Sequence, residues 1–493
     1  MKLMPPTCAA ICLILTACTT HPGYQPPTLT LPEKWQATPE HTAALPENSP
    51  WWEAFADPEL NQLMAEAEHL NPDIERARTL LRQSRAEYQT ISGMRAPVIR
   101  GNTILKREHE SANVDASTFS LPGETSNLFQ AGFDASWELD LFGVRRQLSD
   151  AASAELDATQ AGLNAMRVSI LAEIARNYID LRKAEILMAL AQEDVDIAQD
   201  MLTLVRSRSA SGFVAGIDLM TAETELISAQ MASEPPRVMR NAALNRLNVL
   251  LGRYPGELQI KIINRLPVTP HTLPSALPSD LLRQRPDIQA AERHLAAASA
   301  RLGAAQADWY PRFSLLGQIG LASSAFGNLA DGASRIWRIG PSLSWPILRS
   351  GQIATTIQVR DAEQQHALIR YRQAILQAME DVENSLTSYA HEQKLQAQQL
   401  TNVAHAKSRL ELTEARYAAG LSDYRVVLTA RHVWTAARQD QIRSTAALAY
   451  NWIAINKAFA GRFNDIPAES PIVHSEACNQ KHTPGNASCT TSH

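Results

Sequence analysis

The stretch that decides the fold reads PDIERARTLLRQSRAEYQTISGMRAP at residues 72–97, and residues 286–311 repeat its plan as PDIQAAERHLAAASARLGAAQADWYP. Both copies begin with Pro-Asp-Ile and end in proline, and they share alanine and leucine at positions 214 residues apart. Further matches lie 208 residues apart: Trp137, Gly143 and Gly212 with Trp345, Gly351 and Gly420. The chain is therefore an internal duplication, with a six-residue shortening between the two blocks of matches. Duplication of this kind predicts a structural unit that packs against its own copy.

Composition excludes several classes of function. The chain has 493 residues and a formal charge of -5, and its basic residues are dispersed among acidic ones. No block of lysine and arginine interleaved with aromatic residues suggests a nucleic acid partner, so a solvated surface of mixed charge is expected. Length alone would allow two to four domains, but a duplication with long helices can also form one extended body.

Residues 1–17 are typical of a bacterial targeting segment. Lys2 precedes an apolar run at residues 8–15, which is too short to span a bilayer, and the run ends in Leu15-Thr16-Ala17-Cys18. This ending resembles the bacterial lipoprotein signal and predicts that Cys18 becomes the acylated first residue. Thr19 then favours the outer membrane over the inner one. Ordinary secretion with a free Cys18 is the alternative.

Two of the other four cysteines, Cys8 and Cys12, lie in the signal segment, and the last two lie in the polar C-terminal tail, residues 464–493. Cys478 and Cys489 could form a small disulfide loop in an oxidising compartment. A metal site with His474, His482 and His493 is the alternative, although the spacing matches no standard set of metal ligands.

Proline placement predicts four long helices. The chain has 27 prolines, yet there is none between Pro122 and Pro235 and none between Pro346 and Pro467. Proline costs about 3 kcal/mol inside a helix, so such gaps favour uninterrupted helices. Gly212 and Gly420 each interrupt a gap and predict a turn. The expected helices are residues 143–209, 217–251, 351–418 and 424–460.

The first helix of each pair is about 67 residues long, or roughly 100 Å at 1.5 Å per residue. Charged residues recur throughout, so these helices are not expected to be membrane spans. Apolar residues follow heptad spacing, which predicts coiled-coil packing; those in the second long helix are Leu368, Ile375, Met379, Val382, Leu386 and Tyr389.

Four segments between the helices alternate with period two: residues 98–109, 128–139, 313–321 and 336–347. One face is apolar, and each segment is close to the 9 to 11 residues that a tilted transmembrane strand needs. A soluble β-domain is the alternative. Four strands cannot close a barrel, and an open sheet leaves unpaired backbone groups in lipid. The membrane interpretation therefore predicts an oligomer.

The sequence divides into five parts: a lipoprotein signal peptide at 1–17, a lipidated extended tether at 18–56, a first repeat at 57–271, a second repeat at 272–463, and the tail at 464–493. Each repeat is expected to contain helices, one strand pair (about 98–139 or 313–347), one long helix and one shorter helix. The fold class is therefore membrane α+β with internal duplication.

Several motifs in order resemble the outer membrane factor family, the TolC-like exit ducts, and most of all its lipoprotein branch in multidrug efflux systems. The resemblance covers residues 18 to about 461. The motifs that carry it are Pro22-Gly23-Tyr24-Gln25-Pro26-Pro27, Trp51-Trp52 with Phe55 and Asp57-Pro58, Trp137-Glu138-Leu139-Asp140-Leu141-Phe142-Gly143, Leu277-Pro278-Ser279-Asp280-Leu281-Leu282 and Arg285-Pro286-Asp287-Ile288.

The resemblance implies a homotrimer with a 12-stranded outer membrane β-barrel, four strands per chain, continued by a long periplasmic α-helical barrel. It implies an outer membrane lipoprotein of a Gram-negative bacterium that docks onto a periplasmic adaptor protein and an inner membrane pump of the resistance-nodulation-division type. Small molecules would pass through it to the outside, and no cofactor or nucleic acid is implied.

The resemblance also implies a gate at the periplasmic helix turns. In the family an Asp six residues after the first turn glycine and a Tyr three before the second help to hold the coiled coils together. Asp218 and Tyr417 occupy these positions. The Arg that some members place two after the second glycine is Ser422 here, so Arg425 is the substitute candidate, and Asp423 is the candidate for an acidic constriction. The alternative for each is an ordinary polar group near a helix end.

The adaptor is expected to contact the same turns. The candidate docking residues are Gly212, Phe213, Val214 and Ala215 in the first turn and Gly420, Leu421 and Ser422 in the second. Exposed apolar side chains at a turn are explained if they pack against a partner.

Two other classes of function compete with the passive duct. A tethering or adaptor-like coiled-coil lipoprotein would explain the helices but has no need of two amphipathic strand pairs. An enzyme is disfavoured because His391-Glu392 lacks the second histidine of a zinc protease motif, and neither a phosphate-binding loop nor a serine elbow is present.

Overall fold

The computed structural model describes residues 24–27, 31–32, 34–36, 42–43, 50–109, 111–113, 124–212, 215–270, 273–274, 284–348 and 351–459. Seven α-helices lie within these ranges: α1 (Pro58–Leu70), α2 (Pro72–Gly93), α3 (Val144–Ala210), α4 (Gly216–Leu250), α5 (Pro286–Ala307), α6 (Gln352–Ala418) and α7 (Tyr424–Ala458). Four long strands form one sheet: β1 (Val98–His109), β2 (Thr125–Leu139), β3 (Arg312–Ser323) and β4 (Arg335–Ser344).

The duplication extends to the lengths of the elements. The long helices α3 and α6 both have 67 residues, and α4 and α7 both have 35; each pair lies 208 positions apart at both ends. Helices α2 and α5 both have 22 residues, and strands β1 and β3 both have 12, each pair 214 positions apart. The six-residue shortening therefore falls within the second strand hairpin. The loop of this second hairpin lies at the end of the sheet that is remote from the helices.

The helices form two stacked layers that share α3 and α6. In the layer next to the sheet, α3 packs against α2 and α5, and α5 packs against α6. In the remote layer, α4 packs against α3, α3 against α7, and α7 against α6. The heptad face predicted for α6 is confirmed: Ile375, Val382, Leu386 and Tyr389 are buried. No helix in the described part of the chain combines the length and apolarity of a membrane span.

Helix α4 continues through two consecutive prolines. Pro235 and Pro236 lie in its interior, although the absence of proline is what predicted the long helices. Neither residue can donate the backbone hydrogen bond that closes a helical turn. The partner helix α7 carries Arg443 and Ser444 at the equivalent positions. Packing against α3 therefore outweighs the local cost of proline in α4.

The sheet is an antiparallel meander in the order β1-β2-β3-β4, with continuous register across all three pairs. Register places Phe133 opposite Ile319, and Ile319 opposite Trp337, on one face. Strands β2 and β3 approach closely at the register pair Gly132 and Gly320. A Cβ on Gly132 would lie 2.5 Å from the carbonyl oxygen of Ile319, so only glycine fits there.

In each repeat, the residue just before the Pro-Asp-Ile sequence is buried and donates a hydrogen bond to the end of the last helix of that repeat. Asn71 donates from Nδ2 to the carbonyl oxygen of Leu250 at 2.7 Å, at the end of α4. Arg285, the equivalent residue of the second repeat, donates from Nη1 to the carbonyl oxygen of Ala458 at 3.0 Å, at the end of α7. Both bonds pair an otherwise orphaned carbonyl at a helix C-terminus. Arg285 also pairs with Asp381 of α6 at 3.1 Å.

A second duplicated contact lies where the sheet meets the helices. Trp137 donates from Nε1 to the carbonyl oxygen of Arg95 at 3.0 Å, and Trp345 donates to that of Trp309 at 3.1 Å. The rings of both tryptophans remain substantially exposed. Tryptophan with its N–H bonded and its ring exposed is typical of a membrane interface.

The segment expected to be an extended tether, residues 18–56, is partly core. Trp51–Phe55 is a 3₁₀ helix, and the ring of Phe55 lies 4.9 Å from that of the buried Trp452. Earlier in the segment, the backbone N–H of Gln36 donates to Glu383 of α6 at 2.8 Å, and Trp35 contacts Phe459. Thr42–Ala43 pairs in parallel with Leu273–Pro274. Tryptophan and phenylalanine side chains gain by burial, so this part of the segment packs on the helices.

Candidate gate at the helix turns

Two turns end the helical hairpins at the pole remote from the sheet. Helix α3 ends at Ala210 and α6 at Ala418, and each turn contains a glycine with positive φ, 77° at Gly212 and 75° at Gly420. Glycine adopts this left-handed conformation without the steric cost that a Cβ imposes. The chain therefore reverses at the positions predicted from the sequence.

A small hydrophobic cluster fastens the two hairpins to each other near these turns. It joins buried residues of α3 and α4 to buried residues of α6 and α7: Leu202, Val205, Ala222, Leu410, Tyr424, Val427, Leu428 and Ala430. Tyr417 and Trp434 pack against its edge. Because the cluster crosses between the repeats, separating the hairpins exposes this apolar surface to water.

Tyr417, a predicted gate residue, sits at the edge of this cluster. The guanidinium carbon of Arg208 lies 4.9 Å from the centre of its ring, a cation–π contact between α3 and α6. On the other side, the rings of Tyr417 and Tyr424 are 5.9 Å apart. Burial raises the pKa of Tyr424 to about 12, so this phenol is neutral at physiological pH.

Polar contacts continue the link between the hairpins above the cluster. His432 of α7 lies 3.1 Å from Glu225 of α4. Thr435 donates to Asp194 of α3 at 3.0 Å, and burial raises the pKa of that carboxyl. Arg438 pairs with Glu193 at 2.9 Å. The two hairpins are thus held by apolar, hydrogen-bonded and ionic contacts together.

The other three predicted gate residues are not joined to Tyr417 within one chain. Asp218 lies in the first turn of α4, and its carboxylate has no ion pair or hydrogen bond among the residues that the structure describes. Asp423 is the N-cap of α7 and accepts from the backbone N–H of Arg425 at 3.3 Å. The Arg425 side chain is exposed. Their role in a gate stays a prediction.

The predicted docking residues that the structure describes lie in the two turns. Gly212, Ala215 and Gly420 are exposed, and Leu421 is 71% exposed. Ser422 is partly buried. Phe213, Val214, Cys18 and the tail with Cys478 and Cys489 lie outside the described residues.

The structure adds Arg208 to the candidate gate residues at the helix turns. It lies in the last turn of α3, where a cation is favoured by the helix dipole, and Arg416 is its equivalent in α6. That duplicated arginine is the signal that could have identified it. The turns otherwise differ, because the first repeat has Ser209, Ala215 and Ile217 where the second has Tyr417, Asp423 and Arg425.

These elements define a class of protein. The four strands carry one apolar face, and the sheet ends in two edge strands, β1 and β4, whose outer backbone groups have no partner in the described chain. Lipid does not tolerate such edges, so several copies must close the sheet into a barrel. Each copy contributes four helical arms to a tunnel beneath it. The molecule is a subunit of an oligomeric membrane channel.

The outer membrane efflux protein family matches residues 63–253 and 277–461, and the chain belongs to this family. The solved structure of the outer-membrane channel OprN is similar over 90% of this chain and 99% of its own, with a TM-score of 0.85 at 29% identity. The open-state structure of the MtrE outer membrane channel of Neisseria gonorrhoeae covers 90% of this chain and 98% of its own, with a TM-score of 0.80 at 28% identity. The cation efflux system protein CusC of Escherichia coli strain K12 is 28% identical over 464 residues, 93% of this chain and 99% of its own length.

Family membership confirms the fold class, the location and the duct. The chain is one third of a trimeric channel in which a 12-stranded outer membrane barrel continues into a periplasmic helical barrel. It conducts small molecules outward as the outer membrane component of a tripartite efflux system. The interpretation as a tethering or adaptor-like lipoprotein is wrong, since the family is one of outer membrane efflux proteins.

Proposed function

We propose that this duct is held shut at the helix turns by Asp218 and Tyr417 and opens when a periplasmic adaptor, coupled to an inner membrane pump of the resistance-nodulation-division type, contacts those turns. The observation that carries the proposal is the cluster around Tyr424 at the turns. It fastens the two hairpins of one chain at the end of the tunnel, so that moving either hairpin outward requires breaking it. A relative of this chain has an open state.

The proposed gate uses the differences between the repeats. Tyr417 bridges Arg208 and Tyr424 within one chain, whereas Asp218 has no partner among the described residues of that chain. An unpaired carboxylate near a helix end is available to a cationic or hydroxyl group of the neighbouring subunit. Asp423 and Arg425, at the start of α7, are further candidates.

Opening of the gate is measured as single-channel conductance in planar bilayers. The wild-type trimer is expected to give small, brief openings, and the variant with Asp218→Ala and Tyr417→Phe should give openings that are several-fold larger and longer. The two changes remove one carboxylate and one phenolic hydroxyl, which the proposal assigns to contacts with the neighbouring subunit. They leave the helices and the contacts of the residue 417 ring with Arg208 and Tyr424 in place. Equal conductance in the two proteins would remove Asp218 and Tyr417 from the gate.

Two matched variants separate the gate from the docking surface. Glu223→Ala removes an acid further along α4 that pairs with Arg206 in a solvent-accessible salt bridge. Because such surface pairs contribute little, this variant should leave the channel closed. Leu421→Asp should also leave it closed, because this side chain points to solvent. It should instead lower the yield of adaptor recovered with the duct from cross-linked cells. An unchanged yield would move the docking site elsewhere.

We extend the proposal to the lipid anchor at Cys18. Tyr24 packs against Ala296 and Ala297 of α5, and its ring lies 5.8 Å from the Arg293 guanidinium carbon. From there to the end of α5 at Ala307 is about 16 Å, at 1.5 Å per residue. Six extended residues reach at most about 20 Å, so Cys18 is within reach of the base of the barrel.

Acylation is tested by incorporation of labelled palmitate. Cys18→Ser should abolish the label and lower the mass of the mature chain accordingly, because no other thiol follows the signal segment directly. Cys478→Ser, a cysteine change in the tail, should keep the full label. Label retained in Cys18→Ser would contradict the anchor.

A further inference from the structure

The two faces of the sheet differ in polarity. Because the register is continuous, odd-numbered residues of all four strands share one face and even-numbered residues share the other. The odd face carries Phe133, Ile319, Trp337 and Ile339, all more than half exposed in the single chain. Transmembrane strands turn the apolar face to lipid and the polar face to the lumen. The even-numbered residues therefore line the channel.

One row of register partners on the lumenal face concentrates charge. Its four members, in strand order, are Arg100, Asp134, Gln318 and Arg338. The rows on either side carry no charged side chain: they are Val98, Ser136, Leu316 and Gly340 on the helix side, and Asn102, Gly132, Gly320 and Ile336 on the loop side. The charged row is thus isolated along the strands.

The other charges on this face are neutralised locally. Lys106 pairs with Glu108. Glu138 pairs with Arg145 at 2.8 Å, and Arg312 pairs with Asp308 at 2.7 Å. In the described strands this leaves Arg100, Arg338 and Asp134 as the lumenal charges without an ion pair. Two cations stand against one anion in every subunit.

We propose that this row makes the barrel favour anionic over cationic solutes. The inference rests on the proposed duct and names the charge class that its barrel admits most readily. In the trimer the row is present three times, with twice as many guanidinium groups as carboxylates. The field of exposed charges extends about 10 Å at 0.1 M salt and only about 3 Å at 1 M. The preference is therefore strong in dilute salt and weak in concentrated salt.

The reversal potential in a gradient of dilute potassium chloride measures this preference independently of how wide the gate opens. The wild-type channel is expected to pass chloride at least about twice as readily as potassium at low salt. The variant with Arg100→Gln and Arg338→Gln leaves only Asp134 in the row and should reverse the preference. Asp134→Asn should increase it.

Strand β4 offers a matched control. Arg335 lies on the lipid face, opposite Leu321, three residues before Arg338. Arg335→Gln removes the same charge from the same strand and should leave the reversal potential unchanged. Equal reversal potentials in the wild type and the double variant, or an equal shift in Arg335→Gln, would overturn the assignment while the duct itself remains. Failure of every protein to form a channel would overturn the proposed duct together with this inference.

Discussion

Replacing Ile227 by glutamate is expected to prevent trimer formation and to abolish the channel. Ile227 belongs to a heptad stripe of α4 on the side away from α3, and its large members are 57% to 69% exposed in the single chain: Ile217, Met220, Ile227, Met231 and Val238. Burying one such side chain contributes about 2 kcal/mol. A carboxylate placed there would lose this contribution and would also be buried without a partner, at a cost of several kcal/mol.

The order of the helices identifies what covers this stripe. In the remote layer the order is α4-α3-α7-α6, so α4 and α6 form the two flanks of each subunit. The free side of α6 carries small exposed residues at heptad spacing: Ala397, Ala404, Ser408, Ala415 and Ala418. Large side chains fit against small ones when two helices pack closely. We therefore expect that closing the helical barrel brings α4 of one subunit against α6 of the next.

Gln230→Glu is the matched control, because it adds the same charge one turn away on a face that is neither the flank nor the contact with α3. It should form trimers as the wild type does. Assembly is measured by size-exclusion chromatography with light scattering on protein purified from outer membranes, and conductance by planar bilayers. Trimers of normal yield from Ile227→Glu would show that the stripe faces water or an adaptor instead of the neighbouring subunit.

The sequence predicted the helices well because their signals are local. Gly212 and Gly420 mark the turns, and Pro72 and Pro286 mark helix starts. Because the sequence is duplicated, an element predicted in one repeat is supported by the equivalent element in the other. Strand faces followed from period two in the same way. The long helices are within one or two residues of their predicted ends.

Contacts between distant segments could not be predicted in this way. Asn71 and Arg285 close their repeats through partners more than 170 residues away, and nothing in their own neighbourhood indicates those partners. The folded path of residues 24–36 and the cation–π contact of Arg208 are likewise decided by tertiary packing. At the candidate site, the resemblance indicated Asp218 and Tyr417, but only the structure reveals that Tyr417 has a partner within the chain and Asp218 has none in the described residues.

The buried ionic network around Arg182 is another feature that no local pattern indicates. Arg182 of α3 is 1% exposed, and its guanidinium donates to Glu185 at 2.8 Å, to Glu59 of α1 at 2.5 Å and to the carbonyl oxygen of Lys261 at 2.7 Å. Burial by itself lowers the pKa of Arg182, but hydrogen bonding, first to Glu185, outweighs it and the pKa is raised. The side chain therefore stays charged, and it joins α1, α3 and the segment after α4.

Arg182→Met is expected to lower the stability of each subunit by about 3 to 5 kcal/mol, the usual cost of breaking a buried ion pair from one side. The methionine fills the volume, but Glu185, which is fully buried, keeps only Arg240 at 3.4 Å and the backbone N–H of Ile263 at 3.2 Å. The free energy of unfolding is measured by urea titration in detergent, or as the half-life of the trimer on heating if unfolding is irreversible.

A double-mutant cycle distinguishes a stranded charge from lost packing. Glu185→Gln keeps the acceptor for Ile263 but removes the charge. The loss of stability in Arg182→Met combined with Glu185→Gln should therefore be smaller than the sum of the two single losses, by about 1 to 3 kcal/mol of coupling. Arg443→Met, which breaks an exposed pair with Asp440, is the control and should change stability by less than about 0.5 kcal/mol. Simple additivity of the two changes would mean that the loss in Arg182→Met comes from Glu59 and Lys261, and that Arg182 acts as a clamp between segments more than as a counter-charge for Glu185.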